Sequence, residues 1–171
     1  MATALGIFKK EHEVTEEERD LLLDIVRETG LLRELSGQQI RSLAPACRFE
    51  TFKTGEITCH CPDASHDAFI LVKGMVAVTR KHKDDEHVVE SAMKGAVVNV
   101  CILMGSEFCY VGARAVGEVE IVAMDSRMLL EIFDKDPQLG YLFLRSVGHL
   151  MSEQTAQHLD HLLHPETEPV G

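Results

Sequence analysis

Residues Lys94–Val116 have the sequence KGAVVNVCILMGSEFCYVGARAV, and the predicted architecture depends on how this segment is interpreted. It lies between two segments with strand-like patterns, and its middle is apolar where a connecting loop is normally polar. We interpret it as a ligand-binding connection within a small β-roll and call it the cassette. The residues expected to line its pocket are mostly apolar: Val97, Val98, Val100, Ile102, Leu103 and Met104.

Short apolar segments separated by turn residues surround the cassette, from Cys47 to Met124. FILVKGMVAVTR is predicted to form two strands broken at Gly74, and HKDDEHV a charged hairpin tip. VEIVAMD is predicted to be a strand that ends at Asp125. Regularly spaced short strands with glycine turns are typical of an antiparallel roll or barrel.

Helical patterns precede the predicted strands. Val14–Thr29 is predicted to be a helix whose cap Thr15 is followed three residues later by Glu18, as in a capping box. A second, shorter helix begins with the similar pair Ser36 and Gln39. Its predicted apolar stripe and the proline expected to end it are Ile40, Leu43, Ala44 and Pro45.

Helical patterns return after the strands. SRMLLEIFDKD is predicted to be a short helix capped by Ser126, and Pro137 suits the first position of a long helix that reaches about Leu163. The predicted class is therefore α+β: an antiparallel β-roll (a double-stranded β-helix of the jelly-roll kind) flanked by N-terminal helices and a long C-terminal helix. The predicted division is 1–46 (helical), 47–125 (roll), 126–163 (helical) and 164–171 (disordered tail).

Composition limits the function. The 171 residues carry 17 basic and 28 acidic side chains, a net charge of −11 that repels phosphate backbones, so no direct binding of nucleic acid is expected. No apolar run is long enough to span a membrane, and the N-terminus lacks the apolar core of a secretion signal. Five cysteines cannot form a closed disulfide framework. These features predict a cytoplasmic protein. The common catalytic motifs are absent, so we expect no enzyme.

Successive motifs resemble one known family. LLRELSGQQIRSLA, FKTGE, DAFILVKGMVAVTR and MKGAVVNV look like the ordered motifs of the cyclic-nucleotide-binding domain family, which includes the catabolite activator and FNR-type regulators. The resemblance covers roughly residues 31–163. The family has glycines at the positions of Gly55, Gly74 and Gly95, where roll turns strain any residue with a Cβ. The resemblance implies a regulatory β-roll domain.

The cassette departs from that family's pattern at the residues that hold the ligand. The family's cassette is similar to FGE(L/I)AL followed by R-S/T-A. Its Gly-Glu pair falls on Asn99 and Val100 here, and its phosphate-binding Arg falls on Cys109. Loss of an Arg–phosphate contact should cost roughly 1.5–3 kcal/mol, or about one to two orders of magnitude in affinity. Arg114 could replace it only if its side chain pointed inward. Cyclic-nucleotide binding in the usual mode is therefore not expected.

Three interpretations of the pocket stay open. The apolar side chains could fill the ligand's volume, so that the domain is a scaffold. Alternatively, the domain could sense haem or a metal, because relatives hold haem or iron–sulfur clusters and thiolate and imidazole are suitable ligands. Finally, a cyclic nucleotide could bind through altered contacts. The candidate pocket residues are Val97, Val98, Asn99, Val100, Cys101, Ile102, Cys109 and Arg114, and the candidate metal or haem ligands are Cys59, His60, Cys61, Cys101 and Cys109.

The long C-terminal helix is the predicted site of dimerisation. In relatives the equivalent helix pairs with its twin in a parallel coil, so we expect a homodimer. The transcription factors of the family carry a helix-turn-helix domain after this helix, whereas this sequence ends within about ten residues of it. We therefore expect the signal to pass to a protein partner. The apolar stripe consists of Leu142, Phe143, Val147, Leu150, Met151, Leu159, Leu162 and Leu163.

Overall fold

Two four-stranded antiparallel sheets form the centre of the molecule in the computed structural model, which describes residues 15–29, 32–59, 67–82, 85–106 and 111–163. The strands are β1 (Cys47–Phe52), β2 (Ile57–Cys59), β3 (Asp67–Lys73), β4 (Met75–His82), β5 (Asp85–Met93), β6 (Val97–Val98), β7 (Gly112–Ala115) and β8 (Val119–Asp125). One sheet has the order β1-β8-β3-β6 and the other β2-β7-β4-β5.

Helices lie before and after the sheets in the chain. They are α1 (Glu16–Thr29), α2 (Gly37–Ser42), α3 (Ser126–Lys135) and α4 (Pro137–Leu163). A 3-10 helix at Ala44–Ala46 precedes β1, and another at Val100–Met104 lies between β6 and β7. The predicted class, an antiparallel β-roll with N-terminal helices and a long C-terminal helix, is confirmed. In the described part of the chain, no helix is both long and apolar enough to cross a membrane.

Side chains alternate between the two faces of β3 and β8, and each face packs into a separate core. Ala68 and Ile70 of β3 pack against the helices in what we call the helical core, whereas Phe69 and Leu71 point into the roll interior. Successive side chains on a strand point to opposite faces, and both faces of this sheet are covered. Full burial of each large apolar side chain contributes about 1.5–3 kcal/mol, so the sheet anchors the helices as well as the roll.

The two predicted capping boxes are confirmed. The Glu18 amide donates to Thr15 Oγ1 at 3.2 Å, and the Thr15 amide donates to the Glu18 carboxylate at 2.9 Å. Ser36 and Gln39 make the same pair of bonds at 3.3 and 2.9 Å. The predicted stop at Pro45 was wrong: α2 ends at Ser42, and Pro45 lies in the following 3-10 turn, because proline suits the first residues of a new turn.

The cap of α3 also differs from the prediction. Asp125 caps this helix, and Ser126 is its first residue. The Asp125 backbone is extended, with φ −78° and ψ 113°, as a cap requires. Its carboxylate Oδ1 accepts hydrogen bonds from the amides of Arg127 at 2.9 Å and Met128 at 3.3 Å. The last residue of β8 therefore starts the helix.

Removal of this cap should give a pH-dependent loss of stability. Burial raises the pKa of Asp125, but hydrogen bonds from the Arg127 side chain and from the amides of Met128 and Arg127 outweigh it and lower the pKa. A lowered folded-state pKa contributes stability that is present above the unfolded value of about 3.9 and is lost as the pH falls through the folded value. Asp125→Ala should therefore cost about 1 kcal/mol near neutral pH and progressively less at acid pH.

Urea unfolding of the wild type and Asp125→Ala at about pH 7 and about pH 3 measures this difference. Ser126→Ala is the control and should change the free energy of unfolding by less than about 0.5 kcal/mol. A larger loss for Ser126→Ala than for Asp125→Ala would reverse the assignment of the cap.

The long helix α4 begins at Pro137, as predicted, and packs along the helical core. Leu139, Phe143 and Val147 are fully buried there, and the Phe143 ring lies 5.0 Å from that of Phe133. Farther along, the Gln154 side-chain amide donates to the Val97 carbonyl at 3.3 Å. One face of α4 is thus committed to its own roll and directly touches the cassette strand.

Candidate functional site

The cassette backbone turns sharply between β6 and the 3-10 helix Val100–Met104. β6 pairs with β3, with Val98 opposite Phe69, and Asn99 then adopts a left-handed conformation with φ 59° and ψ 31°. Asparagine tolerates this region better than most residues with a side chain. The 3-10 helix ends at Gly105, which has φ 86°. The connection therefore retains an ordered turn and short helix although the aligned glycine is absent.

The cassette side chains do not all line a pocket, which corrects the prediction. Val97, Val100 and Leu103 pack against the helical core, whereas Val98 points into the roll interior. Ile102 is buried, and Met104 is 48% exposed. Strand alternation separates Val97 from Val98, and the tight 3-10 turn carries the next residues toward α4. Much of the cassette's apolar surface is thus used for internal packing.

Arg114 does not point into the roll, so the condition under which it could replace the missing phosphate-binding arginine is not met. Its neighbours Ala113 and Ala115 lie in the roll interior, and alternation places Arg114 on the outer face of β7. Its guanidinium donates to the Gly55 carbonyl at 2.9 Å and lies 3.4 Å from the Glu86 carboxylate. These contacts hold the charge outside the roll.

The charges near the cassette do not favour a phosphate. Lys94 points toward α1, where its ammonium lies 2.8 Å from the Glu28 carboxylate. On β5, Glu90 pairs with Val78, whose side chain lies in the roll interior. Paired residues share a face of the sheet, so Glu90 is on the roll-facing side. The Glu90 side chain is exposed on that side. Sequence analysis missed this carboxylate, because its face follows from the pairing of β5 with β4, which the sequence of β5 alone does not show.

The described thiols give no support for a metal centre. Cys101 lies half-buried in the 3-10 helix. Burial raises the pKa of the Cys47 thiol to about 12, against the lowering effect of Arg48, so this thiol stays protonated near neutral pH. Within the described residues, no three His, Cys, Asp or Glu side chains form a metal-binding group. His60, Cys61, Cys109 and the Cys59 side chain lie outside them, and the haem or metal hypothesis remains a hypothesis.

The family described as the cyclic nucleotide-binding domain matches residues 49–136, slightly more than half of the chain. That range contains seven strands and part of β1, the whole described cassette and α3. A search of curated proteins found no sequence that matches this chain.

Solved structures share the fold at low sequence identity. A cyclic nucleotide-binding domain from Methylobacillus flagellatus aligns with TM-score 0.74 and 14% identity over 91% of this chain and 88% of its own. The sensor domain of the transcriptional regulator DNR from Pseudomonas aeruginosa aligns with TM-score 0.64 and 15% identity, over 91% and 99%. The regulatory domain of Toxoplasma gondii PKA, crystallised with cAMP, gives TM-score 0.65 and 15% identity over 82% of this chain. This chain spans about half the length of that last structure.

Proposed function

Because the chain belongs to the cyclic nucleotide-binding domain family, we propose that it is a non-enzymatic regulatory domain whose cassette does not hold a cyclic nucleotide in the family's usual way. One observation carries the proposal: the cassette keeps its turn and short helix while the charged groups that would hold a ribose phosphate are missing or point elsewhere. Val100 stands where the family has a carboxylate and packs against the helical core. Arg114 is bound to Gly55 and Glu86 on the outside.

This cassette would stabilise a bound phosphate poorly. A buried phosphate needs charge-assisted donors, and without them its desolvation is not compensated. Glu90, exposed on the roll-facing side, adds a negative charge that disfavours a second one only weakly, because solvent screens it. Packing of Val98, Phe69 and Leu71 in the roll interior supports a pocket filled by the chain itself.

Thermal unfolding with and without cyclic AMP or cyclic GMP tests this proposal. A ligand at one hundred times its Kd would stabilise the fold by about 2.7 kcal/mol, which for a chain of this size raises Tm by roughly 5–10 °C. We expect millimolar cyclic nucleotide to change Tm by less than about 1 °C. A rise of several degrees that saturates with concentration would contradict the proposal.

We also propose that the domain is a homodimer through α4. Tyr141, Leu144, Gly148, Met151 and Thr155 recur at alternating spacings of three and four residues, as at the contact positions of a coiled coil. Tyr141 is 62% exposed and Leu144 39% exposed, whereas the neighbouring Phe143 and Val147 are buried in the chain's own core. Tyr141 and Leu144 therefore form a free apolar face that a second copy would cover, whereas Met151 also packs against the helical core.

Leu144→Arg should weaken this dimer by at least about tenfold, because a charge would be buried at the centre of the helix pair. Sedimentation equilibrium of the wild type and the variant measures the effect. Leu130→Arg, on an exposed position of α3, is the matched control and should leave the association constant unchanged. A monomeric wild type, or equal association of Leu144→Arg, would refute the dimer.

We propose that the output of the domain goes to another protein. The excess of 28 acidic over 17 basic side chains repels nucleic acid but attracts basic protein surfaces. α4 contacts the cassette strand through Gln154 and Val97 and also carries the free apolar face. A change in the roll would therefore alter the surface that a partner meets.

A further inference from the structure

The sheet of β2, β7, β4 and β5 packs its inner face into the roll interior and leaves much of its outer face exposed. The helices pack on the other sheet. An antiparallel sheet with one solvated face normally carries polar side chains on that face. This outer face instead carries a group of neighbouring apolar residues, which we call the outer patch: Ile57, Met75, Ala77, Met93 and Val116.

Strand pairing brings the residues of the outer patch together. Met75 and Ala77 flank the inward-facing Val76 on β4, and they therefore point outward. Met93 on β5 is paired with Met75 and shares its face. The Val116 amide donates to the Met75 carbonyl at 2.8 Å, which places Val116 on the other side of Met75. The three side chains thus form a row across the sheet.

The outer patch presents apolar side chains to solvent. Met93 is 64% exposed and Val116 46% exposed. Ile57, which is paired with the outward-facing Arg114 on β7, is 37% exposed on the same side of the sheet. Apolar residues scattered singly on a surface are ordinary, whereas adjacent ones mark a contact site. The outer patch therefore indicates a surface that another molecule covers.

The charges beside the outer patch are nearly balanced. Arg114 and Glu86 lie 3.4 Å apart, with side chains 42% and 50% exposed. Lys81 is paired with Glu86 in the strand register, so the described outward-facing positions carry two cations and one carboxylate. Two copies of a chain with net charge −11 repel each other, and this face adds little to that repulsion. An arginine that is already paired also brings no uncompensated charge into a contact.

We propose that the outer patch is a contact surface for a second copy of this chain, separate from α4. An isologous interface must be complementary to itself, and a nearly neutral face with a group of apolar side chains meets that requirement. Four strands of about five residues give the face roughly 300 Å² per copy, against about 800 Å² in stable complexes, so the association is weak. The inference goes beyond the regulatory function proposed above and does not depend on it.

A dilution series of ¹⁵N-labelled Leu144→Arg protein, followed by ¹H–¹⁵N NMR, tests this contact without a contribution from the proposed α4 dimer. We expect the amides of Ala77 and Met93 to shift with concentration between micromolar and millimolar protein. Met93→Arg in the same background should weaken the association by about tenfold or more, because it places like charges opposite each other in the contact. Met128→Arg is the matched control, since Met128 is 41% exposed on α3, and it should leave the association unchanged.

Sodium chloride provides a second measurement on the same protein. Salt screens the repulsion between two chains of net charge −11 and leaves the burial of apolar side chains intact. Higher salt should therefore strengthen the association and increase the concentration-dependent shifts of the outer patch.

Three results would overturn the inference. One is the absence of concentration-dependent shifts at the outer patch in folded Leu144→Arg protein at millimolar concentration. Another is an equal effect of Met93→Arg and Met128→Arg, which would leave only net charge as the cause. The last is weaker association at higher salt, since the contact would then be ionic rather than apolar. None of these results bears on whether the cassette binds a cyclic nucleotide or whether α4 forms a dimer.

Discussion

Replacement of Phe143 by alanine is expected to lower the free energy of unfolding by about 3–5 kcal/mol. Phe143 is 0% exposed near the start of α4, where its ring packs 5.0 Å from the Phe133 ring between the helix and the β3–β8 sheet. Truncation removes the transfer free energy of the ring and leaves a cavity that the rigid sheet cannot close. A loss of this size is a large part of a typical domain's stability.

Urea unfolding followed by circular dichroism measures this change. Leu130→Ala is the matched control, because Leu130 is 59% exposed on α3 and should cost less than about 0.5 kcal/mol. A loss below about 1 kcal/mol for Phe143→Ala would show that α4 does not pack on the roll as described.

Gly74→Ala should be the most damaging of the glycine substitutions, with a cost of about 3 kcal/mol or more. Gly74 joins β3 to β4 with φ +84°, and a methyl group there would overlap the backbone oxygen of Glu118 and lie 3.1 Å from a Val119 methyl. The backbone conformation and the overlap both oppose the substitution. Neither strand can move easily, because β3 and β4 lie in different sheets.

Gly55→Ala separates the cost of the backbone conformation from the cost of the steric overlap. Gly55 has nearly the same backbone conformation, φ +82°, but a methyl group there would meet nothing within 4 Å. Its cost should be the conformational part alone, about 1–2 kcal/mol. Urea unfolding of both variants gives the difference, and equal losses would show that contact with Glu118 adds nothing.

Local signals in the sequence predicted local structure well. The pairs Thr15–Glu18 and Ser36–Gln39 satisfy the first amides of their helices, and Gly74 breaks the strand pair as expected, because each effect depends on residues close together in the chain. Asp125 was assigned to the strand and Ser126 to the cap. Both residue types can cap a helix. Because β8 extends to Asp125 and α3 starts at Ser126, Asp125 occupies the cap position.

The orientation of the cassette could not be predicted in the same way. Both faces of β3 and β6 are buried, so hydrophobicity does not show that Val97 packs toward the helices and Val98 into the roll. Arg114 has alanine on either side, and two small residues give no indication of which face is internal. Pairing between strands distant in sequence determines these orientations.

The most direct test of the proposed function is a ¹H–¹⁵N NMR titration of the wild type with cyclic AMP. The amides of Asn99, Val100 and Cys101 lie where the family's cassette meets its ligand, so they report on binding at that site. We predict that these amides do not shift in a saturable way up to millimolar cyclic AMP. Saturable shifts of these three amides, together with others of the 3-10 helix, would show that the cassette binds the nucleotide and would contradict the proposal.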